Sequence, residues 1–203
     1  MSGAQPLTFR PGLPPEEVAR ANFYGLLARL YYAPPDALLL EALAGADEIH
    51  AEDGGIALAW RDLARSAAAA DPEALREEYE NAFVGTGKAP ITLYTSAYSI
   101  KYSNEVPLAA LRGELAAMGL GRRDEVQEPE DHIAALFDAM RFLIAEQKSE
   151  LDAQQRFFTR WIWPSVQPLC AAIEESTHTA FYKQVARFTK CFMDLEHSAF
   201  EMN

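Results

Sequence analysis

Apolar residues recur along most of this chain at intervals of three and four, the spacing that puts them on one side of an α-helix. The first run carries Val18, Ala21, Leu26, Leu27, Leu30 and Tyr31. It opens at Pro14-Pro15-Glu16-Glu17, where proline fits a first turn and acids complement the positive end of the helix dipole, and it stops at Pro34-Pro35. Asp36 is placed to cap a short second helix from Ala37 to Leu43, ended by Gly45. Ile56, Trp60, Leu63 and Ala67 form the stripe of a third helix, over roughly Ile56 to Ala70. Asp71-Pro72-Glu73 restarts the pattern with a cap, a first-turn proline and an acid, and Leu75, Tyr79 and Phe83 follow at steps of four. Gly85 is placed to end that helix.

The pattern then lapses. Residues 85–104, GTGKAPITLYTSAYSIKYSN, are the least helical stretch and are too long and too rich in Tyr, Ser and Thr for an ordinary connection. Such loops often carry function, because a rigid scaffold fixes what they present. Helical spacing resumes near Pro107 with Leu108, Leu111, Leu115 and Met118, and Gly119 and Gly121 close it. A polar connection, residues 122–128, leads to Pro129, which the pattern predicts as the opening position of a helix carrying Ile133, Leu136, Phe137, Met140 and Ile144. Ser149 and Asp152 make a capping-box pattern for the next helix, with Phe157, Phe158, Trp161 and Ile162, which Pro164 is expected to kink or break. Val166, Leu169 and Ile173 continue the spacing, and a last helix from about Thr179 turns Val185, Phe188, Phe192 and Leu195 inward. The reading is all-α: eight or nine helices in one domain over residues 15–203, after a flexible lead-in over residues 1–14.

Composition agrees. There are 35 Ala and 22 Leu against 14 Val and Ile together, which favours helices because β-branched residues lose rotamer freedom there. The formal charge of −12, from 30 acidic and 18 basic residues, repels phosphate backbones and argues against a nucleic-acid partner. The same surface attracts a basic peptide over a Debye length of roughly 8–10 Å. The two cysteines, Cys170 and Cys191, have no metal-type spacing and no disulfide framework around them, which suits a reducing compartment. No long run is free of charges, so no membrane-spanning helix is expected. The lead-in has no basic segment followed by an apolar one, so a cytoplasmic location is the expectation.

Candidate chemistry is sparse. Gly85-Thr86-Gly87-Lys88 lacks the spacing of a phosphate-binding loop, and the histidines at 50, 132, 178 and 197 sit apart. The exception is Glu128-Pro129-Glu130-Asp131-His132 at the predicted mouth of a helix. Acids there serve as caps or as a binding site. Asp131 and His132, being adjacent, do not face one another on a helix, and a histidine at that end is disfavoured as a cation. Tyr94, Tyr98 and Tyr102 are spaced by four, as in a helical turn on the core or a mixed apolar and hydrogen-bonding surface for a peptide.

Taken together these motifs resemble the TorD/DmsD (NarJ-related) family of redox-enzyme maturation chaperones. Glu128, Pro129, Asp131 and His132 stand as that family's Glu-Pro-x-Asp-His, followed by Ile133 to Met140. Tyr79 to Gly85 resembles its helix running into a Phe-Val-Gly turn, and Pro90 to Tyr98 its loop of Pro, aromatic, Ser and Tyr. Tyr24 to Tyr31 with Pro34-Pro35, the Phe157, Phe158 and Trp161 helix, and Phe181-Tyr182 also agree, so the likeness spans about residues 18–200. One departure is Thr95 before Ser96, where the family commonly has an acid.

The resemblance implies a non-catalytic protein that binds the catalytic subunit of a molybdenum-containing oxidoreductase, at its twin-arginine signal peptide, and assists cofactor insertion before export. It implies no cofactor of the chaperone's own, although some members have been associated with nucleotide or molybdopterin contact. The binding groove is expected between the Tyr79 and Phe83 helix, the loop with Pro90, Leu93, Tyr94, Ser96 and Tyr98, and the helix end with Glu128, Pro129, Asp131 and His132. In it Asp131 would accept from a client guanidinium and His132 would bond the client or hold the loop. Two competing readings stand: a chaperone for a client that is never exported, and a small helical hydrolase using His132 with Glu128 or Asp131. Monomer and dimer both fit.

Overall fold

Proline and aspartate set the helix starts. The structure, a computed structural model, describes residues 13–49, 54–85, 89–99, 107–121, 129–147 and 150–202. Most of the lead-in, the connection 122–128 with Glu128, and the expected positions Tyr102 and Ser149 lie outside the described residues. Helix α1 (Pro15–Tyr32) carries its proline at the first turn. In α2 (Ala37–Ala44) the Asp36 side chain accepts from the Leu39 N–H at 2.8 Å. After α3 (Gly54–Ala68), Asp71 accepts from the Ala74 N–H at 3.3 Å to start α4 (Pro72–Tyr79). Each such cap is worth about 1 kcal/mol.

Helix α4 runs straight into a π-helical turn, Glu80–Val84, closed where the Gly85 N–H donates to the Glu80 carbonyl at 2.7 Å. Gly85 has φ of 65°, the left-handed conformation that lets the chain leave the helix there. A single turn, α5 (Ser96–Ser99), interrupts the irregular stretch, and α6 (Pro107–Ala117) follows. Gly119, with φ of 75°, ends α6: its N–H bonds Ala116 O at 3.0 Å and the Leu120 N–H bonds Leu115 O at 2.8 Å, a Schellman arrangement.

Two expectations are corrected: Leu195 of the last helix is 40% exposed rather than inward, and Pro129 does not open a helix. Helix α7 (Ile133–Ala145) begins four residues after Pro129, with His132 as its cap. Residues 129–131 form a turn, in which the His132 N–H donates to Pro129 O at 3.1 Å. Of the two outcomes expected at Pro164, a kink or a break, the break does not occur. Helix α8 (Leu151–Phe157) passes through a second π turn, Phe158–Ile162, into α9 (Trp163–Glu175). The wider turn bonds the Trp163 N–H to Phe158 O, and Pro164 then stands at the start of α9, where its missing N–H costs little.

The fold is all-α, completed by α10 (Phe181–Glu201). Helix α7 buries a wide face through Ile133, Ala134, Leu136, Phe137, Met140, Leu143 and Ile144. A helix with so wide an apolar face packs centrally in a bundle, and a narrow strip with Ala135 and Asp138 stays exposed. Helix α1 lies along it, and α10 packs on α9 and α3. A Cβ on Gly25 would meet Arg141 Cδ at 3.0 Å, which marks how closely α1 approaches α7. Buried tyrosines keep their hydroxyls bonded: Tyr24 to Glu196, Tyr31 to Thr189 and Tyr182 to Leu30 O.

Candidate functional site

Residues 91–95 alternate in burial, Ile91, Leu93 and Thr95 inward and Thr92 and Tyr94 half-exposed, as an extended segment does. The Ile91 N–H donates to Ala82 O at 3.0 Å and pins the segment to the first π turn. Its other end meets α7. Tyr94 and His132 form an isolated antiparallel bridge, in which the Thr95 N–H donates to Asp131 O at 2.8 Å and the Ile133 N–H to Leu93 O at 2.9 Å.

This junction answers a specific demand. A helix leaves its first N–H groups without partners, and α7 starts where water cannot reach them. Leu93 O takes the N–H of Ile133, and His132 Nδ1 takes that of Ala134 at 3.2 Å. His132 O takes that of Ala135 at 2.9 Å. An Nδ1 that accepts carries no proton, so the imidazole holds its proton on Nε2. Its ring meets Tyr94 edge to face, centroids 5.5 Å apart.

Asp131 is bound on both its backbone and its side chain. Thr95 Oγ1 donates to its carbonyl at 3.0 Å, and Ser96 Oγ donates to its carboxylate. Asp131 and His132 are each only 6% exposed. Thr95 explains the departure from the expected acid. A carboxylate in its place would face the Asp131 carbonyl oxygen, where this side chain must donate.

Of the residues expected at the site, the structure places Leu93, Tyr94, Ser96, Asp131 and His132 side by side, with Thr95, which sequence reasoning did not include, among them. Its signal was the hydroxyl pair Thr95-Ser96 beside an aromatic residue. Tyr98 turns back on its own loop, its hydroxyl donating to Thr92 O at 2.9 Å, and partial burial pushes its pKa up to about 12. Pro90 is exposed at the start of the segment, and Pro129 is half-buried beside the turn. Glu130, between Pro129 and Asp131, pairs with Arg112 of α6 at 2.9 Å.

Tyr79 and Phe83 lie in the core. Both are buried against Tyr182 of α10, at centroid distances of 5.7 and 4.9 Å, and the Tyr79 hydroxyl reaches Tyr31 O and Tyr32 O at the end of α1. At the Asp131 junction the loop bonds directly to the helix end. One oxygen of the Asp131 carboxylate, Oδ2, accepts from Ser96 Oγ.

The bonds seen for Asp131 go to Thr95 and Ser96, and His132 Nδ1 is taken by its own helix. Burial pushes the Cys170 thiol up to about 12, which keeps it protonated and unreactive. Among the described residues no group of three His, Cys, Asp or Glu could hold a metal ion, and no helix is long and apolar enough to cross a membrane.

A family model described as nitrate reductase delta subunit matches residues 49–171, from the residue before the α3 approach into α9, and so includes both sides of the Asp131 junction. No curated protein matches the chain.

Proposed function

Since this chain belongs to the nitrate reductase delta subunit family, whose members are chaperones for the maturation of molybdenum-containing oxidoreductases, we propose that it holds the precursor of one such enzyme's catalytic subunit. It binds the twin-arginine signal peptide in the cytoplasm and releases the precursor for export once the cofactor is in place. It performs no catalysis and carries no cofactor of its own.

The observation that carries this reading is the match over residues 49–171, with the Asp131 junction inside it. In this reading the junction is a frame. Asp131, His132 and Thr95 fix the path of residues 91–96, and the client touches what that path leaves outward: Pro90, Tyr94 and the half-exposed side of Ser96. Tyrosine suits a signal peptide, with an apolar ring for the hydrophobic part and a hydroxyl for polar groups. The net charge of −12 steers the basic twin-arginine part toward the surface.

The family's description names nitrate reductase, which favours a second reading in which the client is never exported and the bound segment lies in its mature chain. One titration separates them: the purified chain against the signal peptide of a candidate precursor, and against the same subunit without its leader. Peptide binding that weakens with salt, and falls about tenfold in Tyr94→Ala with the melting temperature unchanged, supports the first reading. Binding of the leaderless subunit alone supports the second. If neither binds, and no molybdenum oxidoreductase co-purifies from the native cell, the chaperone assignment of this chain fails.

A further inference from the structure

Helix α6 is lightly held. It buries Leu111 and Leu115 of its 11 residues, whereas α7 buries eight side chains of 13. Gly113 stands in its middle, where glycine weakens a helix relative to alanine, and a Cβ there would meet nothing within 4 Å. Polar ties supplement the two leucines. Glu114 Oε2 accepts from the Trp161 indole N–H at 2.8 Å and from Arg160 at 3.3 Å, both in the second π turn. The Met118 carbonyl accepts from Gln147, just past the end of α7, at 2.6 Å.

A further tie reaches the Asp131 junction. Arg112 Nε donates to Glu130 Oε2 at 2.9 Å, and the two side chains are 50% and 15% exposed. Glu130 thus already receives a guanidinium, one position before Asp131, whose Oδ2 accepts from Ser96. An ion pair this open to water holds weakly. A helix of 11 residues is also too short to persist in water once its leucines leave the core.

We propose that α6 is a strap that closes the client site, with Arg112 occupying on Glu130 the place of an arginine of the incoming chain. The strap opens by local unfolding while α7 and α10 stay folded. Opening withdraws Arg112, and a client guanidinium pairs with Glu130 in its stead. The identity of the incoming chain rests on the maturation reading; the opening of the strap does not. Because the open form is the one that binds, apparent affinity follows the open fraction.

The test pairs hydrogen exchange of the full chain with titration of a synthetic peptide that carries two adjacent arginines ahead of a leucine-rich run. A second peptide has lysines in their place. Amides of α6 are expected to exchange about a hundredfold faster than those of α7. Glu114→Ala, which leaves Arg112 and Glu130 intact, should speed α6 exchange about fivefold and tighten the arginine peptide by the same factor. Gly113→Ala strengthens the helix, so it should slow exchange and weaken binding, each severalfold. It keeps the test available if a loosening variant fails to fold, which melting curves reveal. Glu130→Gln should weaken the arginine peptide about tenfold and remove its advantage over the lysine peptide.

Exchange in α6 no faster than in α7 overturns the strap. Shifted exchange with unshifted affinity in Gly113→Ala or a folded Glu114→Ala overturns the gating. An undiminished arginine preference in a folded Glu130→Gln overturns Glu130 as the acceptor. If α6 opens as described but neither peptide binds any variant, the signal-peptide reading falls, and the gating with it.

Discussion

Arg20 and Glu196, 176 positions apart, meet fork to fork: Nε to Oε1 at 2.7 Å and Nη2 to Oε2 at 2.8 Å. Glu196 is 1% exposed, and the Tyr24 hydroxyl donates to the same carboxylate at 2.9 Å. Glu17 takes a further N–H of Arg20 at 2.6 Å. Burial works to lower the Arg20 pKa, but the bonds and charges of Glu196 and Glu17 outweigh it and hold the guanidinium above its ordinary value. This cluster locks α1 to the far half of α10.

Removing one partner of such a pair leaves the other charged and unsatisfied. Glu196→Ala is therefore expected to cost about 3–5 kcal/mol in urea unfolding, while Glu17→Ala, which leaves the main fork intact, costs under about 1 kcal/mol. Similar losses for the two would show that the long-range fork contributes nothing beyond its surface neighbour.

Glu78 of α4 caps α10 from a distance. Its carboxylate accepts from the N–H groups of Ala180, Phe181 and Tyr182 at 2.9, 3.2 and 2.9 Å. Ala180, the local cap residue, has no side chain that could do so. Glu78→Ala should lower stability by about 1–2 kcal/mol and raise hydrogen exchange at the start of α10, with Glu78→Gln recovering part of the loss. Unchanged exchange there would contradict the capping role.

At the Asp131 junction, Ser96→Ala removes a single donor to the carboxylate and is expected to cost about 1–3 kcal/mol. Thr95→Glu should cost more, since it replaces a donor to the Asp131 carbonyl with an acceptor in a buried place. If thermal melts rank the two variants the other way, Thr95 is not the fitted residue described above.

Alkaline pH should unfold the protein early. Burial raises Tyr24, Tyr31 and Tyr182 well above the ordinary tyrosine value, and it raises Tyr98 and Cys170 to about 12. The unfolded chain loses these protons first, while the native chain still holds them. Stability is thus complete below about pH 9 and falls as pH rises toward 12, by about 1.4 kcal/mol per pH unit for each proton of difference. Urea midpoints should decline across that window, with tyrosinate absorbance appearing together with unfolding. Absorbance that rises while the fold persists would show that the buried hydroxyls titrate in place.

Much of the fold was legible because helices announce themselves locally. Apolar spacing, first-turn prolines and the caps Asp36 and Asp71 act within one turn of their own position, so the sequence alone determined an all-α chain and most helix starts. The same local signs misjudged Pro129. Proline forbids a bond, but only the surrounding packing decides whether the chain answers with a turn, as before His132, or with a π turn, as before Trp163. Family spacing brought Ser96, Asp131 and His132 to one neighbourhood, yet it suggested an open groove. The tertiary structure alone decided that the loop itself satisfies the start of α7, that Tyr79 and Phe83 belong to the core, and that Glu78 and Glu196 find partners over a hundred positions away. The reason is physical: a buried N–H or carboxylate must be paired, and which group pairs it depends on neighbours in space that no local pattern records.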